Sequence, residues 1–594
     1  MFRAAGLYLV AAWGVVEVSA TVFPLLGVGD WAPRLALALV AAGFPVALWW
    51  AWLFDLQPTG IEAANGEVSH KGLRWGQASL VGAATIVGLT IPAFLFLGRD
   101  AASEASIATS ALSPVAAGGD MRTVALVPFT QGGRDEQESY FSEGVADEIV
   151  SMLARVDGIR VLGRAAAARL VANGSNPYDI GTELGAGFIL EGTVWRASGR
   201  VRLRTSLTDV RTLQVVWSDD LERDLTVENL FDVQRQVATA VAHQLRDELV
   251  EDGAPFRFGP LPTRDFGAFE RYLEGNAAMA RRTPASVAQA ISNYRNAAAL
   301  DSAFVSAIAR EAYASALFID WGWTYPGATV EELLARAQDL ASRALAMDST
   351  NADAWLASAY TRFMANRRRP ELSLPYFKRA LELNGGADAE ALYQYGQTLM
   401  VSGRYNDAIS AYHGVLAQDP TRAMALVPMA TISYRRGDLE QAWRWADSAI
   451  VVGSEVPYVW AIHANLRNSS GDPLGALEDA RRALSIDPSY GIPARSALAV
   501  AYYQLGDQAR ANAELERALI ELPDAQAPGQ TDALFIGGAL VRMGRVQEAL
   551  DFVERAGPRS ALLWFYLQYP DFDAIRNEPR FAAVVAEAKP NESD

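Results

Sequence analysis

Apolar positions change rhythm twice along this chain. Through residue 97 they form near-continuous runs at residues 4–28, 34–54 and 75–97. From residue 123 to about 249, short alternating stretches are interleaved with stretches of helical spacing. Beyond Phe266 the apolar residues recur every three or four positions, and a much longer period is laid over that spacing. Each rhythm predicts a different kind of structure.

The first three runs are each close to the roughly 20 residues that a helix needs to cross hydrocarbon. Trp13, Trp31, Trp49, Trp50, Trp52 and Trp75 include several near the run ends, where indole rings favour the membrane interface. The expectation is a three-helix membrane anchor over residues 1–99. With the amino terminus inside, Arg3, Lys71 and Arg74 lie inside, against Arg34 and Arg99 outside, and the odd number of spans puts everything beyond residue 99 outside the cytoplasm. The Val-Ser-Ala at residues 18–20 also fits a signal-sequence cleavage site, which leaves that final topology unchanged. Glu17 interrupts the first run, where a carboxylate is costly without a partner, and Pro45 predicts a kink in the second. The stretch GFPVALWWAWLFDLQPTG resembles the membrane segment that heads a family of bacterial proteins with TolB-like and tetratricopeptide modules.

Residues 101–119 have no periodicity and read as a tether. Strands are predicted at residues 123–129 and 159–162, and helices at 141–156 and 178–184. A three-strand meander follows at 187–196, 201–209 and 215–221, closed by an amphipathic helix at 230–249. The Gly132-Gly133 turn between strand and helix invites comparison with a phosphate-binding loop. A nucleotide loop would need Gly-Lys-Ser/Thr or G-x-G-x-x-G, whereas Arg134, Asp135 and Glu136 follow here and the acids repel phosphate. The segments VALVPF, YFSEGVADEIVSML, IRVLGR, EGTVWRASGRVRLRTSLTDV and VWSDDLERDL occur in the order of the TolB-like amino-terminal domain, and the flagellar assembly protein FlgO has a related module. The resemblance spans residues 123–245, within a TolB-like α/β domain expected over residues 122–250. It implies a small α/β interaction module of the bacterial cell envelope, with no catalytic residues to carry over.

The long period is 34. Gly403, Gly437, Gly471 and Gly506 keep it, as do Ala408, Ala442, Ala476 and Ala511. This is the tetratricopeptide (TPR) pattern, one helix pair per repeat, and it predicts an all-α superhelix of six or seven repeats over residues 263–560. Such stacks offer a concave groove lined by the first helix of each pair, suited to a partner's peptide or helix. The register places Tyr393, Gln397, Thr431, Tyr434, Arg435, Tyr458, Asn465, Asn468, Tyr503 and Gln504 in that groove as the candidate protein-binding set. Aromatics and amides can stack on a peptide and bond its backbone, although some of these residues could instead pack between repeats. A lysine-based carboxylate clamp cannot be built, because the groove has no lysine. FIDWGWTYPGAT interrupts an early repeat, either as a partner-facing aromatic loop or as a self-packed one. Residues 561–594, including YPDFDAIRNEPRFAAVVAEA, resemble a terminal segment of the same protein family and are expected to cap the stack.

Charge and composition narrow the partners. Residues 1–99 balance five basic against five acidic side chains, so the net charge of −17 belongs to the remainder, a surface that repels nucleic acid. The absence of cysteine removes disulfides and thiol chemistry. His70, His243, His413 and His463 show no metal-ligand spacing, and no catalytic motif occurs. The sequence therefore predicts no catalysis, no cofactor, no metal and no small-molecule substrate. It points to an envelope scaffold in the bacterial inner membrane, its large carboxy-terminal region periplasmic, that binds protein through its repeats. The alternative is the sensory part of a signalling system with a separate cytoplasmic output, a cyclase or a transcription regulator.

Overall fold

A computed structural model describes residues 55–57, 60–62, 120–132, 139–156, 158–172, 174–246, 261–386, 388–488, 490–522 and 528–590. The three expected spans and residues 101–119 of the tether lie outside the described residues. Among the described residues, no helix is long and apolar enough to cross a membrane. The chain divides into two units, Met1–Pro114 and Val115–Asp594. In the first, β1 (Asp55–Gln57) pairs antiparallel with β2 (Gly60–Glu62).

The second unit begins with a six-stranded sheet of order β5-β3-β6-β7-β8, with β4 beside β6. These strands are β3 (Asp120–Leu126), β4 (Thr130–Gln131), β5 (Arg160–Leu162), β6 (Ala186–Ala197), β7 (Arg200–Asp209) and β8 (Val215–Asp224). β3 runs parallel to β5 and β6, so helices must carry the chain between them: α1 (Ser139–Ala154), then α2 (Arg164–Ala172) and α3 (Pro177–Leu184). β6, β7 and β8 form the predicted antiparallel meander. The β6–β7 hairpin turns on Ser198 and Gly199, with φ of 52° and 74°, the left-handed pair that a two-residue turn requires. α1 and the closing helix α4 (Val227–Arg246) cover one face of the sheet over Val124, Leu126, Phe188, Leu190, Val201, Leu203 and Leu207. α2 and α3 cover Ala125, Leu162, Ile189 and Val210 on the other.

Antiparallel helix pairs follow. They are α5 (Phe266–Ala280) with α6 (Pro284–Leu300), α7 (Val305–Asp320) with α8 (Val330–Met347), and α9 (Ala352–Ala365) with α10 (Leu374–Leu383). Next come α11 (Ala389–Val401) with α12 (Tyr405–Gln418), α13 (Ala423–Arg435) with α14 (Leu439–Val452), and α15 (Pro457–Ser469) with α16 (Pro473–Ile486). α17 (Gly491–Gln504) with α18 (Gln508–Ile520) completes the regular series. A last pair joins α19, made of Gln530–Asp532, a π-helical turn Ala533–Gly537 and Gly538–Arg542, to α20 (Val546–Arg555). The periodic glycines Gly403, Gly437, Gly471 and Gly506 turn each pair at φ of 78°, 77°, 78° and 83°. That left-handed conformation closes the first helix at low cost only for glycine. The expected close approach of the two helices is also present: a Cβ on Gly396 would lie 2.8 Å from the Tyr412 ring.

The sheet domain and the repeats, expected as successive modules, share one core. Phe231 of α4 meets Phe269 of α5 edge-on at 5.4 Å. Gly144 of α1 lets Leu273 in so closely that a Cβ there would sit 2.6 Å from the leucine methyl. A second clasp joins β5 to the α12–α13 turn, where Arg160 Nε donates to the Ala417 carbonyl at 2.7 Å and the Gly163 amide to Gln418 at 3.3 Å.

Candidate protein-binding groove

The first helices of successive pairs lie side by side and define the inner surface of the superhelix. The groove outlined by the sequence register is not open along its length. After α20 the chain enters it as α21 (Ala561–Leu567), continues as a 3-10 turn over Pro570–Ile575 and leaves as α22 (Pro579–Ala588), which packs on α20. The expected carboxy-terminal cap is thus two things: α22 covers the last pair, and residues 560–575 form a plug in the groove. The reason is hydrophobic. Phe565, Leu567, Tyr569, Phe572 and Ile575 are all nearly inaccessible to solvent, and together they fill the inner face with aromatic and aliphatic bulk.

The plug is fixed by polar anchors as well. The Ala561 amide donates to the Arg367 carbonyl beyond α9 at 2.9 Å. The Arg435 guanidinium lies over Trp564, Phe565 and Tyr405 at 5.3, 5.5 and 4.9 Å. Tyr569 meets Tyr434 edge-on at 5.7 Å. The Tyr434 hydroxyl donates to Asp571 at 2.9 Å, and Arg542 Nε stands 2.7 Å from the same carboxylate. Burial, reinforced by the negative Asp571, holds the Tyr434 phenol well above its ordinary pKa.

The remaining residues of the candidate set are also engaged within the chain. Gln397 donates to the Tyr393 hydroxyl at 2.9 Å and accepts from Tyr412 at 3.1 Å. Tyr393 lies under Arg422, and burial pushes its phenol up to about 12. The Thr431 hydroxyl donates to the Pro428 carbonyl, and Tyr458 packs edge-on against Tyr490 and Phe535. Asn465 donates to Ala461 in its own helix. Asn468 is 2% exposed and ties α15 to α17 through the Ala497 carbonyl, so it packs between repeats and does not face a ligand. Gln504, exposed, donates to the Asn468 carbonyl at 3.0 Å. Tyr503 is half-buried, facing Gly544 of the last pair.

Sequence reasoning missed a polar cluster on the earlier repeats. Glu390 accepts from Arg282 at 2.7 Å, from Arg422 at 2.8 Å, and from the Tyr313 hydroxyl. Burial alone would raise this carboxyl, but the two guanidiniums outweigh it and hold it well below the usual carboxylate range. Glu390 and its three partners come from four different repeats, so no short motif announces them. The aromatic loop is self-packed: Trp323 and Tyr325 stand edge-on to Phe318 at 5.3 and 5.4 Å, leaving Trp321 41% exposed. His463 is buried between Asp479 at 2.6 Å and Asp447 at 3.1 Å, a clamp between helices. Among the described residues, no group of three or more His, Asp or Glu side chains could hold a metal ion.

The fold is therefore a tetratricopeptide-type superhelix continuous with a small α/β sheet domain. No protein-family profile matches the chain. A 127-residue stretch is 29% identical to "Putative adenylate cyclase 3" of Rhizobium meliloti (strain 1021), covering 21% of either chain; this chain thus spans about a fifth of that relative's length. Among solved structures, a tetratricopeptide repeat protein from Parabacteroides merdae is 15% identical, covering 47% of this chain and 98% of its own, with a TM-score of 0.32. PilF of Pseudomonas aeruginosa is 18% identical, covering 36% and 92%, with a TM-score of 0.29. YrrB, described as a TPR protein with an unusual peptide-binding site, is 25% identical, covering 31% and 86%, with a TM-score of 0.22.

Proposed function

We propose that the protein is a non-catalytic scaffold of the bacterial cell envelope, anchored by residues 1–99, that binds another protein through its repeat superhelix. The observation that carries this reading is the groove's present content. It already holds a peptide segment, residues 560–575, through ring stacking, an arginine–carboxylate pair and a backbone hydrogen bond. A surface that receives one peptide by these means has the chemistry to receive another. The TolB-like resemblance and the three apolar runs support the envelope setting.

The test is photo-crosslinking in the full-length protein in its own membrane. A photoreactive residue replaces Tyr393 or Tyr503 at the groove, or Leu474, 68% exposed, as a control. One discrete protein adduct from the groove positions and none from the control is the expected result. Adducts that do not depend on position would overturn the reading. Alkaline phosphatase fused after residue 120 should be active and at residue 65 inactive; the reverse would place the repeats in the cytoplasm.

A second reading is the sensory one, favoured by the stretch shared with a protein named as an adenylate cyclase. In it the chain would regulate a separate cyclase or transcription regulator across the membrane. Deleting the chain would then change cellular cyclic nucleotide or target transcript levels, with no cyclase activity in the purified protein.

A further inference from the structure

The groove and its plug leave each other partly unsatisfied. The Tyr569 hydroxyl lies by Thr431 without reaching hydrogen-bond geometry, and Arg435 Nε is likewise buried with no hydrogen-bond partner. Arg435 stacks on three rings, yet among the described residues it has no carboxylate partner, and burial lowers its pKa. Its neighbour Arg436 is exposed, lies 5.2 Å from the Tyr405 ring centre and bonds the Asn406 amide oxygen, again without a carboxylate among the described residues. Two adjacent guanidiniums thus remain uncompensated at the groove wall of a chain with a net charge of −17. A buried polar group without its partner is a penalty that a better-matched ligand would not carry.

Resting on the scaffold reading, we infer that residues 560–575 are a displaceable intramolecular ligand. The groove's ligand in trans is a short helical peptide with two aromatics spaced like Phe565 and Tyr569. It also carries a carboxylate beside the first aromatic, facing Arg435 and Arg436. The aromatics take the places now held by the plug, and the carboxylate supplies the charge-assisted bonds the plug lacks. Because the plug competes, apparent affinity in the intact chain is reduced by the fraction of time the groove is open.

The experiment uses the full-length protein and two fluorescent peptides: residues 559–576, and the same peptide with Trp564→Glu. Binding is read by anisotropy in detergent. The acidic peptide should bind the double variant Phe565→Ala/Tyr569→Ala at least tenfold tighter than the wild type. It should also bind that variant severalfold tighter than the unmodified peptide does, and adding Arg435→Ala/Arg436→Ala should abolish the preference. Equal binding of the two peptides, or none by a variant with intact helical signal, would overturn the inference. So would a concentration-dependent wild-type dimer lost in Phe565→Ala, which would make a second copy the ligand. If the double variant does not fold, hydrogen exchange on the unmodified chain decides. Amides of residues 561–575 should exchange at least tenfold ahead of those in α13 and α15, and exchange in step would make the plug fixed core. If both peptides fail while groove crosslinks still report a partner, the scaffold reading stands and this inference alone falls.

Discussion

The Tyr434 hydroxyl donates to the Asp571 carboxylate at 2.9 Å across 137 positions of sequence, joining α13 to the carboxy-terminal plug. Arg542 from the last helix pair completes the triad at 2.7 Å. Two distant helix pairs and the plug are thereby linked through one carboxylate. Tyr434→Phe should cost about 1.5–3 kcal/mol, the range for a hydrogen bond to a charged acceptor. Arg542→Ala should cost about 3 kcal/mol or more, because it leaves a carboxylate of 14% side-chain exposure without its counter-ion. Denaturant titration of the two variants checks the ranking. Equal costs would mean that the ion pair is solvated and adds little.

The His463 clamp predicts a pH dependence. Burial by itself lowers the imidazole pKa, but hydrogen bonds to Asp447 and Asp479 and their charges outweigh it, and the net direction is upward. A histidine pKa raised in the folded state contributes stability that is fully present below the unfolded value of about 6.5. That contribution is lost as pH rises through the higher folded value. Thermal melts of wild type minus His463→Gln, taken from pH 5.5 to 9, should show a difference that shrinks toward the alkaline end. A flat difference would refute the clamp as a charged one.

Glu148 on α1 faces the repeats, and burial pushes its carboxyl up to about 7 against the opposing pull of Arg155. Its charged form is disfavoured in the fold, so stability declines as pH rises from about 4.3, the unfolded value, through 7. Glu148→Gln should therefore stabilise the protein at pH 8, by up to about 3 kcal/mol, and leave it nearly unchanged at pH 4. Chemical denaturation at the two pH values reads this directly.

Gly144→Leu tests the joint between the sheet domain and the first repeat. With a Cβ already 2.6 Å from the Leu273 methyl, a leucine must push α1 and α5 apart. Overpacking of this kind costs about 1–3 kcal/mol. The expected result is a lower unfolding midpoint in chemical denaturation. An unchanged midpoint would show the joint to be slack.

Much of this architecture was legible in the chain. The meander and its Ser198–Gly199 turn follow from alternation and a turn residue, and the helix pairs follow from the 34-residue recurrence of Gly403 and Ala408. Both are local signals, because the face a residue shows within its own strand or helix is set by its immediate neighbours. α2 (Arg164–Ala172) was not foreseen, since its run of alanines offers neither alternation nor a distinct apolar stripe.

What the sequence by itself determined, then, was the kind and order of the elements and the inward-facing register of Tyr434 and Arg435. Only the tertiary structure decided what those residues meet. Asn468 turned into a tie between helices and Tyr434 into the anchor of a segment 137 positions away. Glu390 gathered arginines 108 and 32 positions distant. Such meetings depend on the curvature that small rotations accumulate over successive pairs. No single repeat carries that sum, and the aromatic plug fits the groove only once the whole turn of the superhelix has closed around it.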